Sequence, residues 1–429
     1  MKRLMVLSLV FIASIFYLSA QRHSELINFD WKFSHGEFPS AETADFDDSD
    51  WETVHLPHDA SIDGPFVKDS LNADRKNGFL PRLKGCYRKS LNIEENVENK
   101  KVFIEFEGVY RDAHVYVNGK ELAHQLNGYE SFLVDITPVA KQGKNLIAVK
   151  YDNTDMNSSR WYNGEGIYRD VRLIITNPVH VNYYGTYVRT PFVSDEHADV
   201  LMDTEVYNER QDSATISLQS EIFSPDEILV QSITNTVPVA PGELYVFDQK
   251  ARIQNPQRWD LDAPHLYTLK TSVIVDGEVL DHYETTFGIR TVEYDRNKGL
   301  LLNGRKVLAK GVNIHHDLGP LGAAAFERGF ERRLEGLKKL GCNAIRLAHN
   351  PHDKAVLKWC DRNGMLVVDE AFDKWRDQFF GKGNDFEDHW RSSLKAFIKR
   401  DRNHPSVIMW SVGNEPYKQR DPKDNFGVP

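Results

Sequence analysis

The stretch Asp401–Pro416 reads D-R-N-H-P-S-V-I-M-W-S-V-G-N-E-P. Its middle, Ser406 to Ser411, is a short apolar run flanked by turn residues, the pattern of a buried strand. Gly413 breaks that strand, and Asn414-Glu415-Pro416 follows at its carboxyl end. Barrels of parallel strands present catalytic side chains in this way, from the loop just past a strand. Pro416 is expected to hold Glu415 away from the helical region and to stiffen the loop. An Asn-Glu pair by itself reads as surface. The sixteen-residue context around it points to chemistry.

Outward from this stretch, the region from about Thr291 alternates strand and helix. Val307 to Asn313 is apolar and ends at His315-His316-Asp317. Phe326, Phe330, Leu334, Leu337 and Leu340 recur at three and four, which predicts an amphipathic helix that Gly341 stops. Asn343 to Leu347 is the next strand, ending in Arg346-Leu347-Ala348-His349-Asn350-Pro351. A helix from about Asp353 to Arg362 follows, then a strand from Met365 to Val368 ending at Asp369-Glu370, a helix from Phe386 to Lys399, and a strand from Val407 to Trp410. Polar groups sit repeatedly at strand carboxyl ends. This is a (β/α)8 TIM barrel being built, with about four of its eight strands before Pro429.

The preceding chain reads as β-structure. Between about 22 and 178, Lys101 to Phe106, Leu146 to Tyr151 and Val171 to Ile175 are short strands. Ala113 to Val117 and Lys120 to Ala123 form a hairpin around Asn118-Gly119, because Asn-Gly supplies both positive-φ positions of a tight turn. Regular short strands with turns predict a jelly-roll β-sandwich. From about 180 to 289, Val200, Met202, Thr204 and Val206 alternate, as do Ile216, Leu218, Ser220 and Ile222, and Asp276-Gly277 is another hairpin turn. That is an immunoglobulin-like β-sandwich, with no chemistry of its own, acting as a spacer.

A chain of 429 residues exceeds what one core holds and is 41% hydrophobic, 27% charged and 11% aromatic. Its net charge of −10 excludes nucleic acid as a partner, since phosphate binding needs a basic face. Three cysteines, Cys86, Cys342 and Cys360, are too few and too scattered for a disulfide framework or a metal site. Lys2-Arg3, the apolar Leu4 to Leu18 and Ser19-Ala20 have the order of a cleaved secretion signal over residues 1–20. Gln21 stands where a lipoprotein would carry Cys, so no membrane anchor is expected, and the protein is read as exported to the periplasm or the extracellular space. A homo-oligomer is compatible with the sequence, which does not fix a copy number.

The sixteen-residue stretch closely resembles the acid/base signature of glycoside hydrolase family 2, the β-galactosidases, β-glucuronidases and β-mannosidases. Other pieces are similar to the same family: H-L-P-H-D at His55 to Asp59, G-P-F at Gly64 to Phe66, F-E-G-V-Y-R-D at Phe106 to Asp112, and G-I-Y-R-D-V at Gly166 to Val171. Cys86 stands where a Trp is common in the family's G-x-x-W-Y-R-K segment. The resemblance implies a sugar-binding jelly-roll domain at 21–178, an immunoglobulin-like sandwich at 179–290 and an incomplete barrel at 291–429. Within it, His58 and Asp59 dock the sandwich on the barrel rather than catalyse.

By resemblance Glu415 is the general acid/base and Asn414 binds the hydroxyl beside the anomeric carbon. Arg346 orients the nucleophile, His349 contacts the sugar, and His315, His316 and Asp317 match the first-strand H-H-D segment, with His316 and Asp317 taken as substrate-binding. Asp369 and Glu370 line the site floor without attacking. Arg160 and Trp161, in the N-S-S-R-W-Y-N loop, are rim residues. The nucleophile, by resemblance, lies on the seventh strand, past Pro429. Some relatives hold a metal with a Glu and a His after the third strand. Here that region reads Ala371-Phe372-Asp373-Lys374-Trp375-Arg376, which does not support that site, so neither metal nor cofactor is expected. H-N-P after Arg346 and D-E-A-F-D-K-W favour an exo-acting retaining β-galactosidase on an oligosaccharide or other β-glycoside. β-Glucuronidase and β-mannosidase are the alternatives within the family. A catalytically dead fragment whose sandwich binds carbohydrate is the alternative outside it. The 429 residues alone are expected to be inactive.

Overall fold

The computed structural model describes residues 22–68, 73, 75–154, 161–375 and 386–415. The secretion-signal reading over 1–20 and the rim residue Arg160 lie outside them. Three regions follow one another along the chain. The first is a sandwich of a four-stranded and a six-stranded antiparallel sheet. Its outer sheet runs in the order Glu52–Val54, Trp31–His35, Lys84–Ile93, Gly143–Asp152, Ala113–Val117 and Lys120–Gln125. The core between the sheets holds Trp31, Tyr87, Ile104, Phe106, Val115 and Ile147, all buried. Asn118 and Gly119 have φ of 51° and 85°, as a tight hairpin turn demands. Cys86 is buried and unpaired.

The second region packs a three-stranded sheet on a four-stranded one. In His197–Asn208 buried and half-buried residues alternate without a break, the signature of a strand with one face in a core. This sandwich does more than space the others. The buried Trp259 donates its indole N–H to Asp361 O of the third region at 2.8 Å, and Arg290 donates to Val407 O at 2.6 Å. Gly364 has φ +63°, and a Cβ there would meet Leu261 O at 2.1 Å. Only glycine satisfies both demands.

The third region is a four-stranded parallel sheet, Gly311–Ile314, Ala344–Leu347, Leu366–Glu370 and Val407–Ser411, in that spatial order. Helices Glu327–Lys339, Lys354–Asn363 and Phe386–Asp401 connect the strands. Asp353 starts the second helix by accepting from Ala355 N at 2.8 Å, and Gly364 ends it in left-handed backbone. The structure corrects three details of the sequence reading. The first strand begins at Gly311, because Arg305–Lys306 pairs instead into a small separate sheet. Phe326 and Leu340 flank the first helix and are exposed, so its buried stripe is Phe330 and Leu334. The fourth strand, at an edge of this four-stranded sheet, is buried at Val407, while Met409 is 44% and Trp410 38% exposed. The opposite edge likewise exposes Val312.

Two junctions fix the first sandwich against the barrel sheet. Asp59 Oδ2 accepts from Ala323 N at 2.7 Å and from Tyr162 OH at 2.6 Å, while Oδ1 accepts from Ser61 N and Glu165 N. His58 stays in the sandwich against Tyr87 OH at 2.8 Å. At the second junction Lys354 Nζ lies 3.1 Å from Glu105 and 2.8 Å from Glu107. Tyr183 and Tyr184 of the middle sandwich donate to Glu105 at 2.9 and 2.8 Å. Burial favours the neutral acid at Glu105, but Lys354 and the two hydroxyls outweigh it and hold the carboxyl below its usual range.

Candidate active site

Side chains alternate across a strand, so odd and even positions of each barrel strand face opposite layers. Arg346, Glu370 and Ser411 share one layer. Arg346 Nε and Nη2 donate to Glu370 Oε2 at 3.1 and 2.6 Å, and Ser411 Oγ donates to the same oxygen at 2.5 Å. His349 Nδ1 lies 2.6 Å from Glu370 Oε1. Burial pushes the Glu370 carboxyl up, but the hydrogen bonds from His349, Ser411 and Arg346 prevail and hold it below the ordinary carboxylate range. Both oxygens of this ionised, buried group are occupied by donors. It holds its neighbours in place, with three donors on Oε2 and His349 on Oε1.

The network continues to the fourth strand end. Arg346 Nη2 also donates to Asn414 Oδ1 at 3.1 Å, and Asn414 Nδ2 donates to Asp373 Oδ1 at 2.8 Å. Asn414 is buried, with its backbone N–H on Phe372 O and Asp373 O. Glu415 follows and is exposed. Lys374 Nζ donates to Asn414 O at 2.9 Å and to Glu415 Oε2 at 3.2 Å. Glu415 has φ +46°, on the left-handed side rather than the extended side that a following proline favours. Loops past two successive strands thus converge: Asp373-Lys374 grips Asn414-Glu415, and Trp375 Nε1 donates to Val412 O at 2.8 Å.

Trp161 stacks on His315, ring centroids 5.0 Å apart and 22° between planes. His349 lies 5.3 Å from Trp161 and 5.5 Å from His315. Burial, then His349, keeps His315 below its ordinary pKa. A wall of one indole and two imidazoles therefore stands beside the Arg346–Glu370 pair.

The sequence reading is corrected at two places. His316 and Asp317 do not join the cluster. His316 is buried among Tyr129 and Tyr168, with Nε2 3.0 Å from Asn163 O, and burial lowers its pKa to about 4. Asp317 receives Gly319 N at 3.0 Å and shapes its own turn. Of the three residues of that segment, His315 is the one that stands beside Trp161 and His349. Asp369 does not line the site. It faces the helix layer, where burial and then Asp401 drive its carboxyl well above the usual range. Asp373, Lys374 and Ser411 enter the cluster without having been singled out for it. Their signal was position alone, at or just past strand carboxyl ends.

An exposed carboxylate beside a rigid amide, an arginine, an imidazole and an aromatic wall can hydrogen-bond a polyhydroxylated ligand and move a proton to it. The description "Glycosyl hydrolases family 2, sugar binding domain" matches residues 27–178, "Glycosyl hydrolases family 2" matches 179–290, and "Glycosyl hydrolases family 2, TIM barrel domain" matches 294–425. The chain is 41% identical to a β-galactosidase of Bacteroides ovatus, over 94% of this chain and 48% of that protein. It is 33% identical to a putative β-glucuronidase of Formosa agariphila, over 97% of this chain and 40% of that one. A crystal structure of a glycosyl hydrolase family 2 member from Bacteroides cellulosilyticus superposes with a TM-score of 0.89 at 37% identity, over 93% of this chain and 52% of that one. The chain spans about half the length of the curated relatives it matches.

Proposed function

The chain belongs to glycoside hydrolase family 2, and from that premise we propose that it serves an exo-acting, retaining β-glycosidase whose substrate is a terminal β-galactoside. The observation that carries this reading is the convergence of Arg346, His349, Glu370, Asn414 and Glu415 at successive strand ends. In the proposal Glu415 protonates the leaving oxygen and later deprotonates the attacking water. It is the carboxylate of the cluster that solvent reaches. Asn414, gripped from both sides, orients the sugar hydroxyl next to the reacting carbon. Arg346 fixes Asn414 and Glu370 in place, and His349 and Trp161 bound the ring.

A retaining mechanism needs a second carboxylate about 5–5.5 Å from the first. Glu370 is given a positioning role instead, because Arg346, Ser411 and His349 tie both its oxygens into the network. Asp369 does not serve, because it faces the helices. The nucleophile is therefore assigned to a later barrel strand, and the 429 residues alone are proposed to have no turnover. The likeness to a β-galactosidase at 41% identity favours galactose over glucuronic acid.

Glu415→Gln in the protein isolated from its own cells tests the assignment. Loss of the base step lowers kcat on every substrate, so the first step is read as kcat/KM: for alkyl β-galactosides it should fall about 10²–10⁴-fold, with little loss on aryl galactosides whose leaving group needs no proton. Equal loss on both removes Glu415 from the acid/base role. Faster turnover of aryl β-glucuronides or β-mannosides than of aryl β-galactosides overturns the sugar assignment. We also propose export, from the charge and apolar order of Lys2 to Ala20. A mature protein that still begins at Met1 would refute it.

A further inference from the structure

The outer sheet of the first sandwich carries a second constellation, apart from the strand-end cluster. It sits on the hairpin of Ala113–Val117 and Lys120–Gln125. Ala113, Val115 and Val117 face the core and are fully buried. The alternate positions face outward. There His114 and His124 are direct cross-strand partners, which sets their Cβ atoms about 4.5–5.5 Å apart. Their rings lie nearly parallel, centroids 4.0 Å apart and 12° between planes. Asp112 enters from just before the first strand, and its Oδ1 lies 2.6 Å from His124 Nε2.

Glu121 completes the group through an irregularity. Three positions from His124 on one strand, it should point to the opposite face. The register slips between Val115 and Tyr116, so Ala123 pairs with Val115 but Glu121 pairs with Tyr116, and Leu122 has no partner. A bulge of this kind re-aims the following side chain. Glu121 therefore lands on the histidine face, with Oε1 2.7 Å from His114 Nδ1. That hydrogen bond holds its carboxyl below the ordinary range. The nearest cation on the adjoining strand, Lys150, is engaged elsewhere, by Glu42 at 2.6 Å and over the Tyr116 ring at 5.0 Å.

We propose that Asp112, His114 and His124 form a binding site for a divalent transition-metal ion, zinc first, with Glu121 orienting His114. One ligand atom from each of the three residues lies within 4.8 Å of the other two. Tetrahedral zinc with bonds near 2.1 Å needs its ligands roughly 3.4 Å apart, which small side-chain rotations supply. A carboxylate on one imidazole nitrogen fixes the tautomer that leaves the other nitrogen free to ligate, the arrangement found behind zinc-bound histidines. Two imidazoles and one carboxylate suit zinc, copper or nickel, whereas magnesium and calcium prefer all-oxygen sets. The site also has a mechanical consequence. Asp112 N donates to Leu126 O, and Leu126 packs on the cluster of Phe372, Phe386 and Trp375 beside the strand-end network. An ion tying Asp112 to His124 braces the root of that loop.

The test is a zinc chloride titration of the complete chain, followed by calorimetry in buffer free of chelator. One zinc per chain is expected, with an affinity that falls at least 100-fold in His114→Gln/His124→Gln. Glu121→Gln should lower it about 10–100-fold, as a lost orienting carboxylate does. Far-UV circular dichroism confirms that each variant is folded, and the outward position of both histidines makes their replacement tolerable. Absence of binding at about 100 μM zinc, where a site worth more than about 5.5 kcal/mol would be at least half filled, overturns the proposal. So does a stoichiometry and affinity unchanged in the double variant, which would put the ion elsewhere.

Discussion

Two buried carboxylate networks in this molecule use the same ingredients to opposite ends. At the domain junction, Glu105 and Glu107 come from the first sandwich, Tyr183 and Tyr184 from the second, and Lys354 from a helix of the barrel region. Each region supplies a part, and the network closes on itself. At the strand ends, Arg346, His349, Glu370, Ser411 and Asn414 all come from the barrel sheet, and the network runs outward to an exposed Glu415. A closed network specifies how domains meet. An open one, whose last group faces solvent, leaves a titratable side chain rigidly aimed at whatever binds there. The presence of a buried ion pair therefore says little about function, and the place where its chain of hydrogen bonds ends says much.

The largest effect should come from breaking the closed network. Lys354→Met leaves Glu107 buried without its lysine and Glu105 with Arg172 alone, 3.9 Å away. Removing one partner of a buried pair costs about 3–5 kcal/mol, so urea unfolding should show a loss of that size. A loss below about 1 kcal/mol would mean the junction does not hold the regions together.

Glu165 sharpens the comparison, because it is a buried carboxyl whose described hydrogen bonds come from Leu83 N, Asn153 and Tyr151 rather than from a lysine or arginine. Burial raises its pKa from 4.5 to about 7. A folded pKa above the unfolded one means stability that is fully present below pH 4.5 and lost as pH rises through 7. The loss is on the order of 3 kcal/mol. Glu165→Gln should flatten the stability difference between pH 5 and pH 8 relative to the parent. An unchanged slope would show that this group ionises freely in the fold.

The open network should respond in activity more than in stability. Arg346→Lys keeps the charge but cannot bridge Glu370 and Asn414 with one planar fork. Turnover of an aryl β-galactoside by the protein from its own cells is expected to fall about 100-fold, with unfolding free energy changed by less than ~1 kcal/mol. A stability loss as large as that of Lys354→Met would collapse the distinction between the two networks.

What was legible in the sequence was local. Asn118-Gly119, Asp276-Gly277, Gly341 and Gly364 mark their turns and helix ends because positive φ is written in the residue type. The period-two runs of the second sandwich survive in its burial pattern. Glu415, Asn414, Arg346 and His349 could be named because motif and strand end coincide. The misses were matters of phase and neighbourhood. Whether His315 or His316 joins the cluster depends on which face the strand has reached after Ile314, and a one-residue shift exchanges them. Asp369 and Glu370 are adjacent and look equivalent, yet one sits under Asp401 and the other beneath Arg346. The fourth strand looks internal from composition, but its exposure depends on which strands flank it. The bulge that turns Glu121 outward leaves no mark in the sequence.

Asp59 adds a statement about time. Its carboxylate gathers Ser61, Tyr162 and Glu165 from the first sandwich and Ala323 from the loop after the first barrel strand, and Gly322 has room only for hydrogen beside it, since a Cβ there would come within 2.2 Å of Oδ2. Three of those four donors are synthesised long before Ala323. Domains fold as units, amino-terminal first, as the ribosome delivers them. The seat on which the barrel begins is therefore finished before the segment that occupies it exists, and the nascent barrel starts against a prepared template instead of in open water.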